Sequence, residues 1–178
     1  KCSEMVALLS LPNGAQPDVG DGVADASETA GLLGGTVNLL GSRTAGTVLK
    51  SLSLRREILP QDREAVSAAK QRALPRVIHY PDSGYFVARD GWTSRASALA
   101  LSVPGEGIPN HSHDDALSLQ LVIRGVPVIG TPMSELYSLL NKNNRARRQR
   151  ARGHFYAMTS HNVVLVGGLP ARSLEDLV

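Results

Sequence analysis

The stretch that decides the fold is HSHDDALSLQLVIRGVPVIGTP, residues 111–132. Two short apolar runs within it, LSLQLVI and VPVIG, are separated by the turn-forming pair Arg124–Gly125. Runs of this length, bounded by glycine and proline, predict paired β-strands. Two histidines and two aspartates stand directly before the first run. The stretch therefore predicts a sheet and, at the edge of that sheet, a candidate site.

Further runs of the same kind occur after Pro75, namely RVIHY, GYFVARD, ALALSV and NVVLVGG. Several short strands at close spacing, with no long helix between them, favour an antiparallel sandwich or barrel over a parallel sheet. We predict a mainly β fold, an antiparallel β-sandwich over residues 76–178. A helical N-terminal remnant and linker is predicted to precede it over residues 1–75.

The N-terminal part has helical patterns bounded by helix-stopping residues. Three helices are predicted, over residues 3–11, 24–34 and 61–73. We expect the second to end at the pair Gly34–Gly35 and the third to end before Pro75. Residues 36–54 are small and apolar, and they favour neither helix nor strand.

Composition limits the classes of protein. With 178 residues, 42% hydrophobic and 20% charged, the chain is long enough for a packed core. No run approaches the length of a membrane span, and the single cysteine, Cys2, excludes an intrachain disulfide. The net charge is only +3, but residues 142–152, KNNRARRQRAR, carry six positive and no negative charges. This run is either a solvated loop or a surface for a polyanion.

Histidines give the first chemical signal. His111 and His113 are two residues apart, and on an extended strand such side chains share a face. A pair of this kind can bind zinc when further ligands are supplied, although many such pairs are surface residues. A third histidine, His161, precedes the run NVVLVGG. We expect these imidazoles to meet at one edge of the sheet.

Three motifs, in order, resemble the C-terminal β-sandwich of the heparinase II/III-like polysaccharide lyases. They are YPDSGYFVARDGW at 80–92, HSHDDALSLQLVIRGVPVIGTP at 111–132 and SHNVVLVGG at 160–168. The resemblance covers residues 78–168 and implies cleavage of uronic-acid-containing glycans, such as alginate or glycosaminoglycans, by β-elimination. It implies an acidic polysaccharide as the partner, rather than nucleic acid, and a periplasmic or secreted location.

The resemblance also implies roles for individual residues. His111 faces the substrate as a catalytic residue, while His113 and His161 bind a structural zinc ion. The third zinc ligand, an aspartate in the family, falls on Thr131, which predicts weak or lost zinc binding. Tyr137 lines the cleft. Arginines that bind the glycan carboxylates are Arg89, Arg147 and Arg148.

Other readings stay open at this stage. The family's α/α-toroid, which carries most of the catalytic groups, is expected in cis, because 75 upstream residues are too few for it. Without a toroid, the chain is an incomplete enzyme or a non-catalytic domain that binds acidic glycan or serves a structural role. A cupin-like metalloprotein ranks third, since GEGIPNHSH has the cupin spacing but the glutamate expected after His113 is missing. Arg89 in a surface salt bridge is an equal alternative to its role in glycan binding.

Overall fold

The computed structural model describes residues 2–17, 25–102, 116–130 and 162–163, and the backbone of residues 165–166 and 169–170. Four α-helices come first in the described part: α1 (Cys2–Leu9), α2 (Ala26–Leu40), α3 (Arg43–Ser51) and α4 (Arg63–Ala68). Short 3₁₀ helices cover Leu54–Arg56, Pro60–Asp62 and Pro81–Ser83. The α-helices of the described residues all lie before residue 75, and α3 falls in residues 36–54, for which the sequence favoured neither helix nor strand.

Helix α2 begins and ends with strong local signals. The Asp25 side chain accepts hydrogen bonds from the backbone N–H groups of Ser27 and Glu28, and the Glu28 side chain accepts from the Asp25 N–H, which completes a capping box. At the other end, Gly41 has φ of 64° and closes the helix through its N–H bond to Val37. The predicted end at the Gly34–Gly35 pair is wrong. Since Gly34 is buried where α2 crosses residues 58–62, glycine there permits packing instead of stopping the helix.

Helix α4 is shorter than the predicted helix over residues 61–73. It ends at Ala68, and the Lys50 ammonium group donates to the carbonyls of Ser67 and Ala69 at 3.1 and 2.6 Å. Four residues later, the backbone N–H of Arg72 donates to Thr47 Oγ1 at 3.0 Å instead of continuing the helix. Side chains of α3 therefore take up the backbone groups at this end, and tertiary contacts override the local helical pattern.

The helices share one apolar core. It is built from side chains such as Ala30, Leu33 and Val37 of α2, Val48 and Leu49 of α3, and Val66 of α4. Most of these side chains are aliphatic and fully buried, as the low aromatic content of the chain requires. Burial of such side chains contributes about 1.5–3 kcal/mol each, which makes this cluster the main source of helical stability.

Five strands follow the helices. They are β1 (Val77–Tyr80), β2 (Tyr85–Arg89), β3 (Ala98–Ser102), β4 (Ser118–Ile123) and β5 (Val126–Ile129), all antiparallel to their neighbours in the order β1-β2-β3-β4-β5. A separate two-stranded pair joins β6 (Leu165–Val166) to β7 (Leu169–Pro170). The predicted antiparallel β structure is confirmed as a single five-stranded sheet. The predicted sandwich and the division at residue 75 stay predictions.

The tightest turn of the sheet lies between β4 and β5. Arg124 and Gly125 both have positive φ, 51° and 82°, as a two-residue hairpin turn requires. A Cβ atom on Gly125 would lie 2.1 Å from the carbonyl oxygen of Ser94. The turn also packs on the β2–β3 connection, because the Gly125 N–H donates to the Ala96 carbonyl at 2.9 Å. Glycine at position 125 is therefore required both by the backbone conformation and by the lack of space.

One face of the sheet packs on the end of α1. Leu9 and Leu11 join Ile78, Val87 and other sheet residues in a second apolar cluster. Trp92 contacts both clusters, and its indole Nε1–H donates to the Pro75 carbonyl at 2.7 Å. Trp92 is thus a core anchor between the helices and the sheet. None of the helices in the described ranges combines the length and the apolar character needed to cross a bilayer.

Candidate functional site

The segments that flank the predicted histidine site meet at one end of the five-stranded sheet. Strand β3 ends at Ser102 and β4 begins at Ser118, and these two residues are directly paired. Residues 103–115, which contain the His-x-His motif, join these strands. Because β5 runs back along β4, its last residues return to the same end, and Gly130 follows there. Two segments that contain predicted site residues, residues 103–115 and the stretch after Gly130, thus leave the described sheet at this end.

Asn162 brings a third segment to this end. Its carbonyl oxygen accepts a hydrogen bond from the Leu119 N–H at 3.0 Å, and its side-chain Nδ2 donates to the Gly130 carbonyl at 2.7 Å. These two bonds tie residue 162 both to the start of β4 and to the end of β5. His161 directly precedes Asn162 in the chain, and Thr131 directly follows Gly130. Sequence analysis quoted Asn162 within a motif but gave it no role.

Most of the predicted site residues lie outside the described residues. They are His111, His113, Thr131, Tyr137, Arg147, Arg148 and His161. Their roles in catalysis, glycan binding and zinc binding stay predictions. Within the described ranges, no three His, Cys, Asp or Glu side chains come together in a way that would hold a metal ion.

A polar row crosses the sheet at the same end. Tyr80, Tyr85, Ser102 and Ser118 are paired in register across β1 to β4, so their side chains share one face. Gln120, two residues after Ser118 on β4, is buried on the same face. This row could not be predicted from sequence, because each of its members is an ordinary strand residue and only the register brings them together.

The two serines of the row are deeply buried. Ser102 and Ser118 are 3% and 1% exposed, and neither hydroxyl has a hydrogen-bond partner among the described residues. Buried polar groups are normally paired, since an unpaired hydroxyl costs about 1–3 kcal/mol. A hydroxyl can either donate or accept, so each serine can pair with a donor or with an acceptor.

Tyr80 is one of the two titratable members of the row. Burial raises the pKa of its hydroxyl above the ordinary value of 10, and the nearby Glu4 carboxylate raises this pKa further. The phenol is therefore neutral at physiological pH and keeps a proton that it can donate. The position of Glu4 is fixed in turn, because it accepts hydrogen bonds from Thr44 Oγ1 at 3.0 Å and Arg72 Nη1 at 3.4 Å.

Arg89 lies on the same face, at the opposite end of β2 from Tyr85. Its Nη1 and Nη2 atoms donate to the carbonyls of Ser10 and Leu8, both at 2.9 Å, and its guanidinium lies 3.7 Å from the centre of the Trp92 ring. Burial lowers the pKa of Arg89 to about 10, so the group stays charged at pH 7. The side chain is 6% exposed, which does not fit the surface salt bridge considered from sequence. This placement favours a structural role over contact with a glycan carboxylate.

Comparison with known proteins places this fold. No family model and no curated protein matches the sequence. Among solved structures, a heparinase III matches 92% of this chain with a TM-score of 0.65 and 18% identity. The chain has the fold of a part of heparinase III. The heparan sulfate lyase HepC from Pedobacter heparinus is also similar, with a TM-score of 0.63 and 16% identity over 92% of this chain.

The match covers only a fraction of those proteins. This chain corresponds to 23% of the length of the first heparinase III and of HepC, and to 26% of another heparinase III. The likeness extends to the helices as well as the sheet, since nearly the whole chain is covered. The chain is therefore similar to one piece of a polysaccharide lyase.

Proposed function

We propose that this chain is part of a polysaccharide lyase that cleaves uronic-acid-containing glycans by β-elimination. The observation that carries the proposal is the pair of hydrogen bonds made by Asn162 at one end of a heparinase-like sheet. One peptide unit separates Asn162 from His161, and the His-x-His segment joins the neighbouring strands at that end. Consecutive Cα atoms are about 3.8 Å apart, so all three histidines are expected within reach of a common rim.

The β-elimination reaction defines which groups the active site must supply. A base removes the C5 proton of the uronic acid, the carboxylate charge is neutralised, and the bond to the 4-oxygen breaks to give an unsaturated sugar. Groups that neutralise the developing negative charge contribute most to such a reaction. In the proposal, His111 meets the substrate carboxylate. The remaining acid and base groups come from a helical toroid domain elsewhere in the same protein.

Substrate charge accounts for the basic run at residues 142–152. Arg147 and Arg148 are proposed to bind glycan carboxylates, and Tyr137 is proposed to line the cleft. Exposed contacts between charges are screened by salt. Glycan binding through this run should therefore weaken as ionic strength rises. An exported protein would meet such glycans in the periplasm or outside the cell, which is the location proposed here.

Zinc would have a structural role in this arrangement. His113 and His161 are the proposed ligands, and Thr131 stands where a carboxylate would complete the site. Two imidazoles without a carboxylate bind zinc weakly. Metal analysis of the purified protein should therefore give less than one zinc per chain. One tightly held zinc ion would require another ligand, such as Asp114, Asp115 or Glu135.

The outer face of the sheet supports the β-sandwich. Antiparallel sheets that face water on one side carry polar side chains there. This sheet instead presents apolar side chains on the face opposite α1, and these are only partly buried: Phe86, Leu99, Leu101, Leu119 and Leu121. Sheets with two apolar faces are covered on both sides. A second sheet over these residues is the proposed cover, as in a sandwich.

Activity is tested by incubation with alginate, heparan sulfate and other uronate polymers. An increase in ultraviolet absorbance from the unsaturated product is expected from the complete protein. His111→Ala should lower the rate by at least about 100-fold, the usual contribution of an acid–base or charge-stabilising group. His79→Ala is the matched control: His79 is exposed on the face of the sheet that does not carry the polar row, and its replacement should leave the rate unchanged.

Other outcomes would identify other functions. Binding of acidic glycan without any unsaturated product would favour the non-catalytic domain over the lyase. Stoichiometric iron or manganese without glycan binding would favour the cupin-like metalloprotein. Equal rates for wild type and His111→Ala would remove the proposed role of the His-x-His motif even if the lyase activity were present.

A further inference from the structure

Helix α2 carries an apolar surface that faces away from the core of the described helices. Leu32 and Leu39 are 57% and 82% exposed, and they lie two helical turns apart on the same side. Gly31 and Gly35 lie beside them, so the four residues form a continuous outer stripe about 12 Å long. The opposite side of the helix holds the buried residues Ala30, Leu33 and Val37 and others. We call these four residues, the exposed Leu32 and Leu39 and the partly buried Gly31 and Gly35, the outer stripe of α2.

The two glycines of the outer stripe have no role in packing within the described residues. A Cβ atom built on Gly31 or Gly35 meets no atom within 4 Å, whereas one on Gly34 lies 3.0 Å from Ile58 Cγ2. Glycine in the interior of a helix is destabilising relative to alanine. Gly34 is explained by this close contact with the neighbouring segment. Gly31 and Gly35 lack such an explanation, and so do the exposed leucines.

The shape of the outer stripe fits a helix. Glycines at positions i and i+4 make a shallow groove on the helix surface, and large side chains beside them form a ridge. Packing of ridges into grooves is how helices contact each other, with axes about 8–10 Å apart. None of the four residues carries a charge, so the partner surface must also be apolar.

We propose that the outer stripe of α2 binds a helix of the same polypeptide that lies outside these 178 residues. The inference rests on the proposed function, in which this chain is one piece of a longer lyase. Solved proteins with this fold are about four times longer, since the chain covers 22–26% of them. An uncharged stripe with glycines that weaken its own helix suits a permanent contact within one protein. A second copy of the chain is the alternative occupant.

Thiol labelling tests the contact directly. In a Cys2→Ser background, which removes the exposed native thiol, Leu39→Cys is made in the 178-residue chain and in the complete native polypeptide. We expect labelling at least tenfold slower in the complete polypeptide, because the bound helix covers the site. Arg95→Cys is the control, since Arg95 is exposed in the connection between β2 and β3 and should be labelled at similar rates. Equal rates for Leu39→Cys in the two proteins, or a native polypeptide of only 178 residues, would overturn the proposal.

Gly35→Ala gives a second measurement with opposite signs in the two proteins. In the 178-residue chain, the better helix former should raise the melting temperature by about 2–4 °C. In the complete polypeptide, the added methyl group should separate the helices and lower the melting temperature. A rise in both proteins would contradict the proposed contact. Dimerisation of the 178-residue chain that Leu39→Arg abolishes would replace the proposal by self-association.

Neither measurement uses catalysis. Lyase activity of the complete polypeptide is measured separately on the uronate polymers. Absence of activity together with protection of Leu39→Cys would refute the proposed function and leave the helix contact standing. Activity without protection would refute the contact alone.

Discussion

Replacement of Arg89 by methionine tests how the helices are held on the sheet. Methionine keeps an unbranched side chain of similar length in the buried position. It removes the guanidinium that donates to the carbonyls of Leu8 and Ser10 and lies over the Trp92 ring. The variant therefore separates the polar part of this junction from its packing.

The size of the effect follows from two stabilising contributions of Arg89 and one cost, the burial of its charge. A hydrogen bond to a charged group contributes about 1.5–3 kcal/mol, so the two bonds of Arg89 contribute about 3–6 kcal/mol. The contact with Trp92 adds about 1 kcal/mol. Against this, burial lowers the pKa of Arg89 from 12.5 to about 10, and one pKa unit corresponds to about 1.4 kcal/mol. Methionine recovers that cost of about 3 kcal/mol, and the expected net loss of unfolding free energy is about 2 kcal/mol.

Urea unfolding at pH 7 measures this loss. Trp92 is the only tryptophan of the chain and lies at the junction, so its fluorescence reports on the contact being tested. Arg76→Met is the matched control, since Arg76 precedes β1 and is exposed. Surface substitutions of this kind change stability by less than about 0.5 kcal/mol. An Arg89→Met loss as small as that of the control would refute the reasoning.

Two further predictions concern the hairpin turn and the polar row. Gly125→Ala should lower the free energy of unfolding in urea by more than about 2 kcal/mol, because the methyl group would clash with the Ser94 carbonyl. Gly130→Ala is the control, since a methyl group there has open space and should change stability by less than about 0.5 kcal/mol. Equal effects of the two substitutions would contradict the turn geometry. The raised pKa of Tyr80 means that the folded protein keeps a proton that the unfolded chain releases near pH 10, so this contribution is complete below that pH and is lost as the pH rises through the folded pKa. Glu4→Gln should lower the Tyr80 pKa in a phenolate absorbance titration, and an unchanged titration curve would exclude the carboxylate as a cause.

The sheet was more predictable from sequence than the helices. Short apolar runs separated by glycine and proline predicted the five strands of the described sheet and its antiparallel pairing, whereas the strand order came from the structure, in which each strand pairs with the next one along the chain. Helix α2 was harder to predict, since Gly34 and Gly35 are read locally as a stop signal. The burial of Gly34 against Ile58 is a tertiary fact that a local pattern does not contain.

The candidate site was predictable in part. Histidine spacing and motif order predicted a common edge for the histidines; the described residues nearest the motifs, Ser102, Ser118, Gly130 and Asn162, lie at one end of the sheet, while the histidine site itself stays a prediction. The polar row of Tyr80, Tyr85, Ser102 and Ser118 escaped notice, because cross-strand register alone makes these residues neighbours. The environment of Arg89 could also not be predicted from the sequence. Its partners are carbonyls of residues about 80 positions away, and backbone acceptors leave no trace in side-chain patterns.

The direct pairing of Ser102 with Ser118 has an evolutionary consequence. Both ends of the intervening segment are fixed by the sheet, so the segment behaves as a closed loop with anchored ends. The entropy of closing such a loop grows only with the logarithm of its length, and a doubling in length costs only about 0.6 kcal/mol. Insertions and deletions between these serines should therefore change the free energy of unfolding only slightly. The pairing of β3 with β4 can therefore stay the same while the length of the chain between the two serines varies.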